Sequence, residues 1–394
     1  MHKNEFMLEI PYGTRDLLPK EAAKKREIEA ALAGTFYKWG YDEIVTPTIE
    51  YLDTLTIGNG RSLEPHMFKF FDKSNRTLAL RHEMTTPIAR VAASRLKDEK
   101  LPLKLSYISS VYRYEQAQTG RQCEFYQAGV ELMGIPNATA DAEVIALAVE
   151  GLRQAGLTDF QICLGQVEFI NGIMEQVKLS PEKQDEIRYM MEKRDLVGLG
   201  TVIDQTDLSQ NSKDILKKIP VLHGKTEMLK QAYNMVVNEQ SKRALDNLTE
   251  IYNLLKVYGV ESYVSFDLGV IRDFAYYTGM VFEAYTPGLG FPLCGGGRYD
   301  HMLSDFGNAC PATGFALGIE RIMLAIDRQG LTEKNSQKQF YVAYEEGNVK
   351  KAIKRVNELR NQGNTAELAL LGQSEKEART YQLDKNYVEL VYIV

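Results

Sequence analysis

The sequence predicts an α+β chain in which an antiparallel sheet is flanked by helices, and three observations lead there. Tyr107 to Gly134 and Met67 to Arg81 each read as two strands around a tight polar turn. Val264 to Ala316 is strand-like and dense in glycine, while mostly helical periodicity fills about 170–258. Strict alternation of strand and helix begins only after Gln339, so a small α/β unit closes the chain. With 394 residues, 44% hydrophobic and 25% charged, there is room for two or three domains with a sizeable core, and fibrous and disordered classes are excluded.

In chain order, Tyr12-Gly13-Thr14-Arg15-Asp16-Leu17-Leu18-Pro19 is a turn-rich lead into a helix from about Glu21 to Trp39. Ile28, Ala31, Leu32, Thr35, Phe36 and Trp39 form one apolar stripe, and Gly40 ends it. Tyr41 to Thr46 reads as a strand stopped by Pro47. Met67 to Asp72 and Thr77 to Arg81 form a hairpin, after which Thr86 is placed as helix N-cap and Pro87 as the first helical residue. Glu83 and Thr85 fall in the bend before that helix, where Glu83 either complements the helix dipole or projects into a cleft. Thr139 to Gln154 is a helix, Phe160 to Leu164 a strand, and Phe169 to Tyr258 an inserted or appended helical stretch. Met280 to Tyr285 is a strand, Cys294-Gly295-Gly296-Gly297 a close backbone approach, a bend or a plain loop, and Gly314 to Arg321 a strand running into a helix. The tail reads as strand Phe340 to Tyr344, helix Asn348 to Asn361, strand Glu367 to Leu371, helix Ser374 to Leu383 and strand Tyr387 to Val394.

The hairpin from Tyr107 to Gly134, turning at Gln118 to Arg121, has an unusual parity. Arg113 and Glu115 share one face, as do Phe125, Gln127, Gly129 and Glu131, while Tyr112, Tyr114, Tyr126, Ala128, Val130 and Leu132 are apolar enough to face a core. A sheet face carrying an arginine, two glutamates and a glutamine is either a solvated surface with weak cross-strand ion pairs or the floor of a small-molecule pocket. Cys123, Cys163, Cys294 and Cys310 lack zinc or redox spacing and read as thiols, so no metal site is expected. The net charge of −6 argues against a broad nucleic-acid surface. With no apolar run near 18 residues and no signal-peptide pattern, a cytoplasmic protein that does not enter a membrane is expected.

Taken together, RYEQAQTGRQCEFYQAGVE and GFALGIER resemble motifs 2 and 3 of the class II aminoacyl-tRNA synthetases, and IRDFAYYTG and CGGGRYD resemble two stretches specific to the histidyl enzymes. The resemblance covers nearly the whole chain. It implies a class II synthetase-like core over 1–325, with an antiparallel sheet of six or seven strands, a helical insertion at about 170–258, a homodimer formed through the region after Gly40, and a small C-terminal domain over 336–394. By matching positions it implies a histidine pocket of Glu83, Thr85, Gln127, Glu131, Tyr276 and Tyr277, in which carboxylates hold the ammonium and one imidazole N–H. Arg113, Glu115, Arg121, Phe125 and Arg321 correspond to a nucleotide and phosphate site, and Arg272 to the arginine that stabilises the activated carboxylate.

Departures narrow the resemblance. Ala275 stands where the synthetases have Asp, Asp273 where they have Gly, Cys123 where they have Arg, and Ala117 and His82 where they have Pro. A synthetase ends in an anticodon-binding domain of about 100 residues, whereas here the α/β unit reads as one shortened to three strands. RHEMTTPIAR is similar to a second branch of the family, the regulatory subunits of ATP phosphoribosyltransferase. That branch implies a non-catalytic, cofactor-free protein that binds L-histidine but no tRNA, with a vestigial nucleotide site. It would join a short-form catalytic subunit in a hetero-octamer and control the first step of histidine biosynthesis. A histidyl-tRNA synthetase or histidine-activating relative with a shortened tail is the alternative enzyme reading, and a free-standing histidine sensor the third.

Overall fold

The helix Pro19–Lys38 places proline in its first turn and buries Ile28, Leu32 and Phe36. Gly40, at φ +80°, takes the left-handed conformation that turns the chain out of it. The strand that follows is only Asp42–Glu43 (β1), shorter than the expected 41–46. The reason lies in Arg81, whose Nη1 donates to the Thr46 and Pro47 carbonyls at 2.8 and 3.3 Å and draws that backbone away from a ladder.

In a computed structural model, residues 8–58, 63–114, 122–269, 276–331 and 338–394 are described. Ile49–Tyr51 (β2), Lys69–Phe71 (β3) and Thr77–Leu80 (β4) make a small antiparallel sheet in the order β2-β4-β3. The next helix is Thr85–Ser94, capped differently from expectation. Met84 occupies the N-cap position, and the Glu83 carboxylate rather than the Thr86 hydroxyl takes the first amides, Thr85 N at 2.6 Å and Thr86 N at 2.8 Å. A glutamate two residues upstream is long enough to reach both orphan donors.

The main sheet is built from β1 with Leu103–Tyr112 (β5), Glu124–Met133 (β6), Gln161–Gln166 (β7), His223–Gly224 (β8), Val264–Asp267 (β9), Met280–Tyr285 (β10), Cys294–Arg298 (β11) and Ala312–Gly318 (β12). Its order is β1-β5-β6-β12-β11-β10-β7-β9-β8, nine strands among the described residues. The run from β5 to β7 is antiparallel throughout, and the pairs β1–β5 and β7–β9 are parallel, so the sheet is mixed. The excess over six or seven comes from short edge strands. Cys294-Gly295-Gly296-Gly297 is neither loop nor bulge but a regular interior strand, pinned between β10 and β12.

Each face of the sheet carries its own hydrophobic cluster. Ala128, Val130 and Leu132 of β6 point into the larger one with Leu164, Phe282 and Phe315, covered by Pro19–Lys38 and the helix Ala138–Gln154. The helical stretch is built into this cluster: Phe169 and Ile173 of Val167–Val177 and Leu245 and Leu248 of Glu239–Tyr258 belong to it, and β8 adds to the sheet edge. The opposite face of β5 and β6 packs Leu105, Tyr107, Val111 and Met133 against Met84, Ile88, Tyr299 and Met302. Tyr114, expected to face a core, is 57% exposed, because it lies beyond the last β5–β6 pair at Tyr112 and Glu124.

The chain divides by its contacts into Met1–Leu331 and Thr332–Val394. Within the second unit Phe340–Tyr344 (β13), Ala366–Leu368 (β14) and Glu389–Ile393 (β15) form a parallel sheet in the order β14-β13-β15. The helices Val349–Asn361 and Glu375–Asp384 pack on it, burying Ala352, Val356, Leu359 and Ala378 with Val342 and Ala343. β14 is shorter than expected, and Leu370 and Leu371 stand exposed after it. No described helix is long and apolar enough to cross a membrane.

Candidate ligand site on the β5–β6 face

The site begins with register. Opposite Phe125, Gln127, Gly129 and Glu131 of β6 lie Val111, Ser109, Tyr107 and Leu105 of β5, so these side chains share the face that carries the smaller cluster. Glu131 is 2% exposed in the middle of it. Its Oε1 accepts from Thr85 Oγ1 at 2.8 Å, and its Oε2 accepts from the Tyr299 hydroxyl. Burial pushes the Glu131 carboxyl up to about 8, against the opposing effect of those two donors and with a further push from the Glu83 charge.

The structure brings Glu83, Thr85 and Glu131 together. The Thr85 amide donates to Glu83 and its hydroxyl to Glu131, so one residue spans both carboxylates. Room for Glu131 is made by Gly314 across the ladder, where a Cβ would fall 2.1 Å from Oε2. Tyr276 and Tyr277 stack obliquely at 4.7 Å between centroids, and the edge of Tyr276 meets Tyr299 at 5.9 Å. Gly297 clears the space for Tyr277, because a Cβ there would come within 2.8 Å of that ring. Tyr107, Tyr276 and Tyr299 are held as neutral phenols well above the usual range, first by burial and then by the nearby carboxylates. Gln127 lies four residues along the strand from Glu131 on the same face.

Further up the face the expected nucleotide residues are partly assembled. The Arg113 guanidinium lies 5.4 Å over the Phe125 ring, and its Nε donates to the His82 carbonyl at 2.9 Å. The Arg321 guanidinium lies over the Phe291 ring at 5.2 Å, and its Nη1 donates to the Pro292 carbonyl at 2.6 Å. Glu115, Arg121 and Arg272, and with them the turn at Gln118 to Arg121, lie outside the described residues. His82 is buried and its ring is pushed down to about 4, chiefly by desolvation. Sequence reasoning left out Tyr299 and Tyr107 as site residues. The only available signal for Tyr299 was its place directly after the triple glycine and Arg298.

A buried, donor-supported carboxyl beside a second carboxylate has the chemistry to receive N–H donors from a small ligand. The surrounding phenols and Gln127 offer further polar partners.

Comparison with known proteins places the chain in a family. A histidyl-tRNA synthetase family model matches residues 13–322. A protein of Moorella thermoacetica named ATP phosphoribosyltransferase regulatory subunit is 43% identical over 371 residues, 94% of each chain. One of Ruminiclostridium cellulolyticum with the same name is 39% identical, covering 99% of this chain and 93% of the relative. The crystal structure of an ATP phosphoribosyltransferase regulatory subunit/histidyl-tRNA synthetase from Bacillus halodurans superposes with a TM-score of 0.88 at 36% identity, covering 99% of both chains. A histidyl-tRNA synthetase from Nostoc shares the fold at a TM-score of 0.81 and 18% identity, covering 96% of this chain and 89% of its own. On the class II synthetase fold, the chain belongs to the ATP phosphoribosyltransferase regulatory subunit family, the paralogue of histidyl-tRNA synthetase.

Proposed function

We propose that this protein is the regulatory subunit of ATP phosphoribosyltransferase in histidine biosynthesis, and that it senses L-histidine at the Glu83–Thr85–Glu131 site. The observation that carries the reading is Glu131, buried and bridged through Thr85 to Glu83. Two carboxylates suit the ligand's ammonium and one imidazole N–H, and Gln127, Tyr276 and Tyr277 supply the remaining hydrogen-bonding edges. The chain itself is non-catalytic and cofactor-free. It assembles as a homodimer through the region after Gly40 and with a short-form catalytic subunit in a hetero-octamer that binds no tRNA. Histidine occupancy then biases that assembly between two states, with a coupling of typically about 1–3 kcal/mol.

The isolated chain is expected to bind histidine in calorimetry and to transfer no phosphoribosyl group, and to restore activity and histidine sensitivity when added to the short catalytic subunit. Turnover by the chain alone overturns the reading. A second reading, a histidine-activating enzyme, is favoured by the stacking of Arg113 on Phe125, which keeps the shape of a nucleotide subsite. Histidine-dependent exchange between ATP and pyrophosphate separates the two.

A further inference from the structure

Arg298 follows the triple glycine in a motif that would ordinarily be read as ligand-binding, yet its guanidinium is fully committed elsewhere. Nε and Nη2 hold the two oxygens of buried Asp141 at 3.1 and 2.9 Å. Nη1 donates to Ile135 O and Asp300 Oδ1, both at 3.1 Å, and Nη2 also to Asn137 O at 3.2 Å. Of a guanidinium's five N–H donors, four make hydrogen bonds here, and the approach of Nη2 to Asp141 Oδ1 is an ion pair. Asp300 Oδ1 in turn accepts from Ala312 N at 3.1 Å. The backbone on both sides of Tyr299 is therefore fixed to β12 and to the helix Ala138–Gln154.

One residue ties this knot to the other two tyrosines. Thr278 directly follows Tyr276 and Tyr277; its amide donates to the Arg298 carbonyl at 2.8 Å, and its Oγ1 accepts from the Asp300 amide at 3.0 Å. Gly279 O then accepts from Val167 N at 3.0 Å and Met280 enters the sheet opposite Gln166, so the Thr278 anchor lies between the tyrosine pair and β10. Its hydroxyl touches none of Glu83, Thr85 and Glu131, yet it sets the register of Tyr276 and Tyr277 against Tyr299, whose hydroxyl reaches Glu131.

We infer that Thr278 is a positioning residue, whose bridge to the backbone flanking Tyr299 holds the three site tyrosines in one arrangement and so governs how long the ligand stays bound. For the ligand the inference rests on the histidine reading above; for the tyrosine segment it stands on geometry alone. The bridge needs a hydroxyl oxygen to accept from Asp300 N, which serine retains and the isosteric valine lacks.

Two measurements on the full chain test it. In calorimetry and stopped-flow with L-histidine, Thr278→Val should weaken binding at least about tenfold, about 1.4 kcal/mol, through faster dissociation. Thr278→Ser should stay within twofold of the unsubstituted chain. In hydrogen exchange of the unliganded chain, Thr278→Val should speed exchange at 276–279 and 299–300 without lowering the thermal midpoint, and Thr278→Ser should not. Valine binding as tightly as threonine, serine failing to rescue, or unchanged exchange at those amides overturns the inference. No histidine binding by the unsubstituted chain overturns the ligand reading instead, while the exchange result still decides the role of Thr278.

Discussion

Two buried residues, His82 and Glu131, respond to pH in opposite senses. His82 titrates near 4 in the folded chain against an ordinary value of 6.5, so between those values the unfolded chain holds a proton that the folded chain lacks. Stability therefore falls as pH drops from 6.5 toward 4, by up to about 3 kcal/mol at 1.36 kcal/mol per unit. Glu131 titrates near 8 against 4.5, so between those values the folded chain holds the extra proton, and stability of the unliganded protein falls as pH rises from 4.5 to 8. Chemical denaturation across this range should lose its acid-side slope in His82→Gln and flatten on the alkaline side in Glu131→Gln. The division of the hairpin is tested at the same scale. Glu131→Ala should reduce histidine affinity about a hundredfold or more, since it strands Thr85 and Tyr299 without an acceptor, whereas Arg113→Ala should change it only slightly. Equal losses in calorimetry would show that the two ends of the face act as one site. The polar strand face with Glu131 and the bend with Glu83 and Thr85 were legible because both are local features, while joining them in one pocket came from the family resemblance. Tyr299 was not, because its contact with Glu131 spans 168 residues and no periodicity reports it.

At the level of elements, the glycines of the central strands follow from what lies across from them. A Cβ at Gly314 would stand 2.1 Å from Glu131 Oε2 and 2.4 Å from the Val130 carbonyl, and neither can withdraw from an interior sheet. Gly314→Ala should lower the thermal midpoint and abolish histidine binding together. Gly200, inside the helix Leu196–Asp204, has nothing within 4 Å of its would-be Cβ. Gly200→Ala should therefore raise stability by up to about 1 kcal/mol through helix propensity; denaturation midpoints of the two variants check both signs. The hairpins, the helices around them and the alternating tail were readable because turn residues and amphipathic periods mark them directly. The triple glycine was ambiguous because its cause is the close approach of the Gly314 and Met280 carbonyls and of the Phe282 and Tyr277 rings, supplied by other parts of the chain. The cap of Thr85–Ser94 was misassigned because Ser/Thr preference at N-caps loses here to a glutamate upstream with the reach for two amides.

For the whole molecule, the two units have separate hydrophobic clusters, and every described residue of the proposed pocket belongs to the first. A chain ending at Leu331 is expected to bind histidine with the affinity of the full protein in calorimetry, and a large loss would place part of the pocket's support in Thr332–Val394. The α+β class and the class II architecture were legible from motif order, and the comparisons bear them out. The nine-strand count among the described residues was not, because a two-residue edge strand such as β8 leaves no pattern in sequence.

The sheet that separates a large helical cluster from a small one also separates two kinds of mutational freedom. Most of the burial that keeps the fold intact lies on the face opposite the pocket, among Val130, Phe282, Phe315 and the helices over them. Substitutions on the pocket face therefore draw on a minor share of the core. A scaffold so divided can exchange one chemistry for another, or retire chemistry and keep only recognition, while its stability stays above the threshold at which most changes are tolerated.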